Sequence, residues 1–387
     1  VSLPGAVTAA LLAAPRPTCA YVYDLGVLRR TVARLRVALP AGAQLLYAVK
    51  ANGHPDVVAA LAKEVDGLEV ASGGELALAT GAGARAVAFG GPAKTDAELA
   101  AAVGAGAVVH VEGTLELRRL GLVAAGRPVR VALRVNRAGA GLDGSHRMTG
   151  VPTPFGIDEA ALGEAVAVAG TLPGVRLIGF HLHAVSNNLD AAAHARYVVE
   201  ALRWSAGAAA RLGLRLEYVN VGGGFGVDYT GDARFDLGAL RAGLATADVP
   251  AGVTVAFEPG RYLVAAAGWY AAEVLDLKCT HGRWFAVLRG GTHHFRLPAA
   301  WGYSHPFTVL PVEEWPYPFA RPEVRDAAVD VVGELCTPRD VLARDRRVGR
   351  LRAGDVLVFG NAGGYGWDIS HHDFLRHPYP GMVIIGA

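Results

Sequence analysis

Cysteine is scarce in this chain, with Cys19, Cys279 and Cys336 the only three in 387 residues. An odd, widely spaced set excludes a disulfide framework, and no metal-type spacing of cysteine and histidine surrounds it, so no metal is expected. Such a set fits a reducing compartment, and the expected location is the cytoplasm. A surplus of one charge sign is also lacking: 37 basic residues stand against 35 acidic ones, a net charge of +2. The arginines are spread along the chain, so neither nucleic acid nor an anionic membrane has an electrostatic claim on it. No uninterrupted apolar run approaches the roughly 20 residues of a membrane span. The N-terminal stretch VSLPGAVTAALLAAPRP is apolar but has no basic start, and does not read as a signal peptide. Internal repeats and long low-complexity linkers are absent too.

What is present is a large core. Hydrophobic residues make up 52% of the chain and charged ones 19%, the balance of a folded protein long enough for two domains. Eight short apolar runs recur: 44–50, 67–72, 86–92, 108–113, 129–136, 176–184, 218–225 and 254–261. They scarcely alternate, which suits parallel strands buried on both faces. Segments with helical spacing, such as HPDVVAALAKEV, separate them. Eight strands alternating with helices over about 220 residues predict an α/β fold, a (β/α)₈ barrel. From about residue 270 the runs become strand, turn and strand with little helix, which predicts a mainly antiparallel β domain. The strand-like CAYVYDL is expected to join it. The expected boundaries are an N-terminal segment at 1–26 contributing to the β domain, the barrel at 27–268, and the β domain at 269–387.

Barrel chemistry gathers where strands end at their C-termini. There the sequence places Lys50, the SGGEL turn at 72–76, Arg134 with Asn136, His181 with His183 and Ser186, the glycines Gly222–Gly224, and Glu258 through Arg261. Singly each has a plain structural reading. A strand-end lysine commonly snorkels, and glycine runs commonly make turns. Jointly they are a chemically complete set. A lysine amine condenses with an aldehyde, glycine amides and an arginine hold a phosphate, and a carboxylate charges a ring nitrogen. That is the equipment for pyridoxal 5'-phosphate.

The blocks YAVKAN, SGGEL, GPAKTDAEL, HLHAVS, GGGFG, EPGR, CTPRD and GGYG, in that order over about residues 20–370, resemble the fold-type III pyridoxal-phosphate decarboxylases. This family includes the diaminopimelate and ornithine decarboxylases and shares its architecture with the alanine racemases. The resemblance implies that Lys50 bonds the cofactor and that His183 stacks on its ring. It implies that Ser186, Gly222, Gly223, Gly224, Gly260 and Arg261 hold the phosphate, and that Glu258 pairs with the pyridine nitrogen. ELCTPRD resembles the family's Cys-Glu-Ser-Gly-Asp block. Cys336 is then the acid that reprotonates the α-carbon, and Asp340 lies near the far end of the substrate. NAGGYG resembles the Gly-Ala-Tyr-Gly block and places Tyr365 near cofactor and substrate. In the family these two blocks come from the neighbouring subunit, so a homodimer with shared sites is implied.

The departures narrow the expectation. Thr337 and Pro338 replace the acidic residue and serine after the cysteine, where diaminopimelate decarboxylases read a distal amino group. CTPRD, THHFRLP and ISHHDFL look most like the branch acting on siderophore intermediates, the staphyloferrin B type. A near relative of that branch acts on a carrier-protein-bound amino acid, so a carrier protein is a possible partner. Arg296, His293, His294, His371 and His372 are expected to form a polar, partly cationic rim suited to a bulky or acidic substrate derived from an amino acid. Two other activities stay open here. An amino-acid racemase shares the scaffold, but resembling racemases carry arginine where Glu258 stands. A non-catalytic pyridoxal-phosphate-binding regulator would typically lack a second domain.

Overall fold

Buried apolar runs, flanked by turn residues, set the architecture of this computed structural model, which describes residues 3–139 and 142–387. The first strand, β1 (Cys19–Asp24), belongs to the β unit described below. The next eight are β2 (Gln44–Ala48), β3 (Gly67–Val70), β4 (Val87–Phe89), β5 (Val108–Val111), β6 (Val129–Asn136), β7 (Val175–His181), β8 (Tyr218–Asn220) and β9 (Thr254–Phe257). Each pairs in parallel with the next, and β9 pairs with β2, so the sheet closes into a barrel. A helix lies in every crossover, the longest being Ala191–Leu212. All eight expected strands form, though most stop two to four residues sooner than their apolar runs, because the final residues turn into loops.

The barrel interior follows a period of two. Leu46, Ala88, Val108, Ala132, Ile178, Tyr218 and Ala256 make a buried layer, one from each of seven strands. Two positions further along the same strands come Ala48, Gly90, His110, Arg134, Asn220 and Glu258. In β7 an irregular register, with Val131 opposite Leu177 but Ala132 opposite Gly179, shifts the sequence by one and brings His181 to this level. An apolar layer thus gives way to a polar one at the strands' C-terminal ends.

The second unit is a curled mixed sheet of β10 (Gly268–Thr280), β11 (Arg283–Leu288), β12 (Thr308–Leu310), β13 (Glu323–Val332), β14 (Val341–Arg352), β15 (Val356–Phe359) and β16 (Gly381–Ile385). The order is β12-β15-β10-β11-β13-β14, and β1 pairs with both β10 and β16. Most pairings are antiparallel as expected, but β11–β13 and β1–β16 are parallel. Val22, Trp269, Ala271, Val356 and Val358 anchor the core of this unit. The chain divides into Val1–Leu28, Tyr229–Asp232 and Val264–Ala387 as one compact unit, and Arg29–Asp228 with Ala233–Leu263 as the other. No helix among the described residues is long and apolar enough to cross a membrane.

Candidate active site

Lys50 sits in a single 3₁₀ turn, Val49–Ala51, directly after β2. Tyr47 fixes that turn by donating its hydroxyl to the carbonyl of Asn52 at 2.8 Å. The Lys50 side chain is 45% exposed, and its Nζ lies 2.5 Å from Glu69 Oε2. Burial pushes the Glu69 carboxyl up, and the Lys50 ammonium pulls against that shift. Gly90 leaves the space: a Cβ there would stand 3.3 Å from Glu69 Oε1.

Glu258 is buried at the end of β9. Asn220 donates from Nδ2 to its Oε1 at 2.6 Å, and His181 Nε2 lies 3.2 Å from its Oε2. The rings of His181 and His110 stack at 4.2 Å between centroids. Burial pushes both imidazoles well below their ordinary pKa, so both are neutral. His110, His181 and Glu258 bring one ligand atom each within 4.8 Å, a spacing that would admit a metal ion. The Asn220 bond and the stacked rings instead make them a support for the carboxylate.

The glycine loop is shaped by close approach. Gly222 has φ +75°, and a Cβ on it would stand 2.5 Å from His183 Nδ1. A Cβ on Gly223 would stand 2.3 Å from the Glu258 carbonyl oxygen, and one on Gly260 would stand 2.8 Å from the Ala51 side chain. Glycine is therefore required for these segments to touch. His183 Nδ1 accepts from the Gly223 amide at 3.2 Å, which leaves the proton on Nε2. Burial, Arg134 and Lys50 together push this ring well below its usual pKa. Ser186 lies beside the same loop, because the next-but-one residue, Asn188, donates its amide to the Gly224 carbonyl at 2.8 Å. Arg261 is buried at the start of the helix Arg261–Val264. Lysine, neutral ring, carboxylate, hydroxyl, glycine cradle and arginine therefore share the polar end of one barrel, and this donor set fits pyridoxal phosphate.

The remaining candidates belong to the β unit. Cys336 is exposed on the loop between β13 and β14. Tyr365 is half-buried with φ +55° in the NAGGYG turn, where a Cβ on Gly363 would collide with the Val264 carbonyl. Arg296 is exposed, and its amide donates to Ser370 Oγ at 3.0 Å. Asp340 departs from the expectation of a substrate contact. Its side chain is buried, with Oδ1 accepting from the Thr292 amide at 2.6 Å and Oδ2 from the Leu335 amide at 2.9 Å. Both oxygens are spent on tying two loops together. His293 and His294 depart from the expected rim as well, since both are fully buried. Burial pushes His294 down to about 2, so it carries no charge.

Comparison with known proteins decides the family. The profile described as "Pyridoxal-dependent decarboxylase, pyridoxal binding domain" matches residues 25–265. The chain belongs to the pyridoxal-dependent decarboxylases. This decarboxylase is 40% identical, over 97% of its own length and 96% of the relative's, to the 2-[(L-alanin-3-ylcarbamoyl)methyl]-2-hydroxybutanedioate decarboxylase of Staphylococcus aureus (strain NCTC 8325 / PS 47). It is 32% identical, over 93% and 87%, to the L-glutamyl-[BtrI acyl-carrier protein] decarboxylase of Niallia circulans. Its fold matches the crystal structure of diaminopimelate decarboxylase from Helicobacter pylori complexed with L-lysine, with TM-score 0.85, 24% identity, and coverage of 98% and 94%. The cofactor of the decarboxylase is pyridoxal phosphate.

Four polar residues of its barrel escape a reading by blocks: Glu69, His110, Glu112 and Asn220. Each is a titratable or amide side chain in or beside a short run otherwise apolar, GLEV, VVHV and YVN, and that contrast was their signal. Glu112 accepts from Arg134 Nη1 at 2.8 Å, which holds the arginine in the polar layer.

Proposed function

We propose that this decarboxylase removes CO₂ from the L-amino-acid part of a conjugated substrate, an amino acid joined through an amide to a hydroxy-polycarboxylate. The observation that carries the reading is the 40% identity, over nearly the whole of both chains, to a decarboxylase whose name specifies such a compound. Thr337 supports it, since the loop after Cys336 lacks the acidic residue expected where a distal ammonium is read. The reading suits the assembly of a siderophore or another secondary metabolite.

Pyridoxal phosphate supplies a ring that takes up the electron pair left when a carboxylate departs. Lys50 would anchor the group covalently, and Glu258 would pair with its ring nitrogen. Asn220 and His181 hold that carboxylate in place. The neutral His183 would lie against the ring, while Ser186, Gly222, Gly223, Gly224, Gly260 and Arg261 would hold the phosphate. Cys336 delivers a proton to the α-carbon from the opposite subunit, and Tyr365 and Arg296 contact the substrate. Asp340 is a positioning residue that sets the Cys336 loop. The working form is a cytoplasmic homodimer with two shared sites; the exposed thiol of Cys336 suits a group offered to a neighbour.

A second reading rests on the relative acting on an acyl-carrier protein. Measured CO₂ release separates the two. The purified enzyme is expected to decarboxylate the citrate amide of L-2,3-diaminopropionate faster than diaminopimelate or carrier-bound glutamate. A preference for the carrier-bound amino acid would overturn the first reading, and inverted α-carbon chirality without CO₂ would make the protein a racemase.

A further inference from the structure

The β unit contains a cavity of about 670 Å³ between the helix Leu297–Trp301, the loop that carries Cys336, the first residues of β14, and His371. Arg296, Arg339, Arg344 and His371 line it, and among the described residues no aspartate or glutamate does. The carboxylates of the surrounding loops are committed elsewhere. Asp340 faces two backbone amides, and Glu334 is paired with Arg289 and His293. Asp330 Oδ2 comes within only 4.0 Å of Arg344, and Arg283 already holds that oxygen at 2.5 Å. Among the described residues neither Arg296 nor Arg339 has a carboxylate partner. Ser304 Oγ accepts from the Arg344 amide at 2.9 Å, so the backbone of this arginine is fixed while its guanidinium remains available.

Three guanidiniums around a concave space whose lining holds no carboxylate favour an anion there, and each offers a planar fork that matches a carboxylate. The sequence of the loop makes the same point. Against the Cys-Glu-Ser-Gly-Asp block, CTPRD has Thr337 for the glutamate and Arg339 for the glycine. With the aspartate turned inward in Asp340, the accessible charge of the block changes from negative to positive.

We infer that this cavity binds a di- or tricarboxylate group, and that Arg339 and Arg344 are the residues that select it. The inference rests on the conjugated-substrate reading, in which the group is the non-reacting arm of the substrate. The same chemistry would also accept a free polycarboxylate acting as an effector.

Calorimetric titration of the holoenzyme with citrate, and with acetate as control, tests it. Citrate is expected to bind at least tenfold more tightly than acetate, and Arg339→Gln and Arg344→Gln are each expected to weaken citrate about tenfold or more, the scale of a lost charge-assisted pair. An unchanged cofactor absorption spectrum would show that each variant is folded and loaded. Steady-state kinetics separates the sources. Competition between citrate and the conjugate assigns the cavity to the substrate arm, and non-competitive inhibition assigns it to an effector. Equal citrate affinity in parent and both variants, or binding no tighter than acetate, overturns the inference. Neither result depends on CO₂ release. The conjugate could prove to be the substrate while this cavity plays no part, and the cavity could bind citrate in an enzyme with another substrate.

Discussion

Asn220 holds Glu258: its Nδ2 donates to the carboxylate at 2.6 Å, and its Oδ1 accepts from the Gly222 amide at 2.8 Å. One buried amide thereby sets both the group proposed for the ring nitrogen and the first glycine proposed for the phosphate. Asn220→Leu keeps the volume and removes both bonds, leaving a buried carboxylate short of a donor at a cost of about 1–3 kcal/mol. The dissociation constant for pyridoxal phosphate should rise about tenfold or more, measured by titrating apoenzyme and following absorbance. Unchanged affinity would mean that Glu258 and the loop are held by other contacts.

The barrel was legible because its strands are buried on both faces and read as apolar runs, and the candidate positions at their ends because Lys50, His183, Gly222 and Glu258 punctuate those runs. Less legible was what each block does. SGGEL is a helix start: Ser72 Oγ accepts from the Glu75 amide at 3.2 Å, and Glu75 reaches back to the Ala71 amide at 2.7 Å. KTDAEL is another, with Thr95 and Glu98 forming a reciprocal cap. The aspartate of CTPRD is a loop tie. A sequence block marks a position without saying whether it faces a ligand or a backbone amide, and only the fold resolves Asp340 from Arg339. His293 and His294 were misread for the same reason, since loop residues carry no periodicity from which burial can be inferred.

Lys50 and Lys94 should separate cleanly. Lys94 is buried, with Nζ 2.6 Å from Glu116 Oε1, 2.7 Å from the Gly91 carbonyl and 2.8 Å from the His110 carbonyl. Lys50→Ala is expected to abolish covalent labelling by borohydride in the presence of pyridoxal phosphate. Lys94→Met should retain the label but lose about 3–5 kcal/mol of stability by stranding Glu116. Peptide mapping and urea denaturation check the two outcomes; a label that survives Lys50→Ala would move the anchor elsewhere.

The proposed site, built from two chains, predicts complementation. Lys50→Ala and Cys336→Ala should each be inactive, and random reassortment of an equal mixture would leave half the dimers mixed, each with one intact site. Activity should recover to about a quarter of the parent's. No recovery, with subunit exchange demonstrated by a tagged chain, would place Cys336 and Lys50 of one chain in the same site.

Acid sensitivity should trace in part to His194. This ring is buried beneath the glycine loop on the helix Ala191–Leu212, and neither nitrogen has a hydrogen-bond partner among the described residues. Its neighbours are Phe225 at 4.6 Å, Phe235 at 5.8 Å and Tyr197 at 6.5 Å between ring centroids, with no charge among them. Burial pushes its pKa down to about 4, against 6.5 for a free histidine. The unfolded chain therefore binds a proton that the folded one refuses, so its contribution is intact above pH 6.5 and is lost as pH falls toward 4. Each pH unit in that window costs about 1.4 kcal/mol for one such group. His194→Leu fills the apolar site without a titrating group. Between pH 7 and pH 5 the parent should lose about 2 kcal/mol more than the variant, read from urea midpoints at each pH. His305, also pushed to about 4, titrates in both proteins and cancels in the difference. Equal losses in parent and variant would mean that the folded protein admits a proton to His194, through water reaching the underside of the glycine loop.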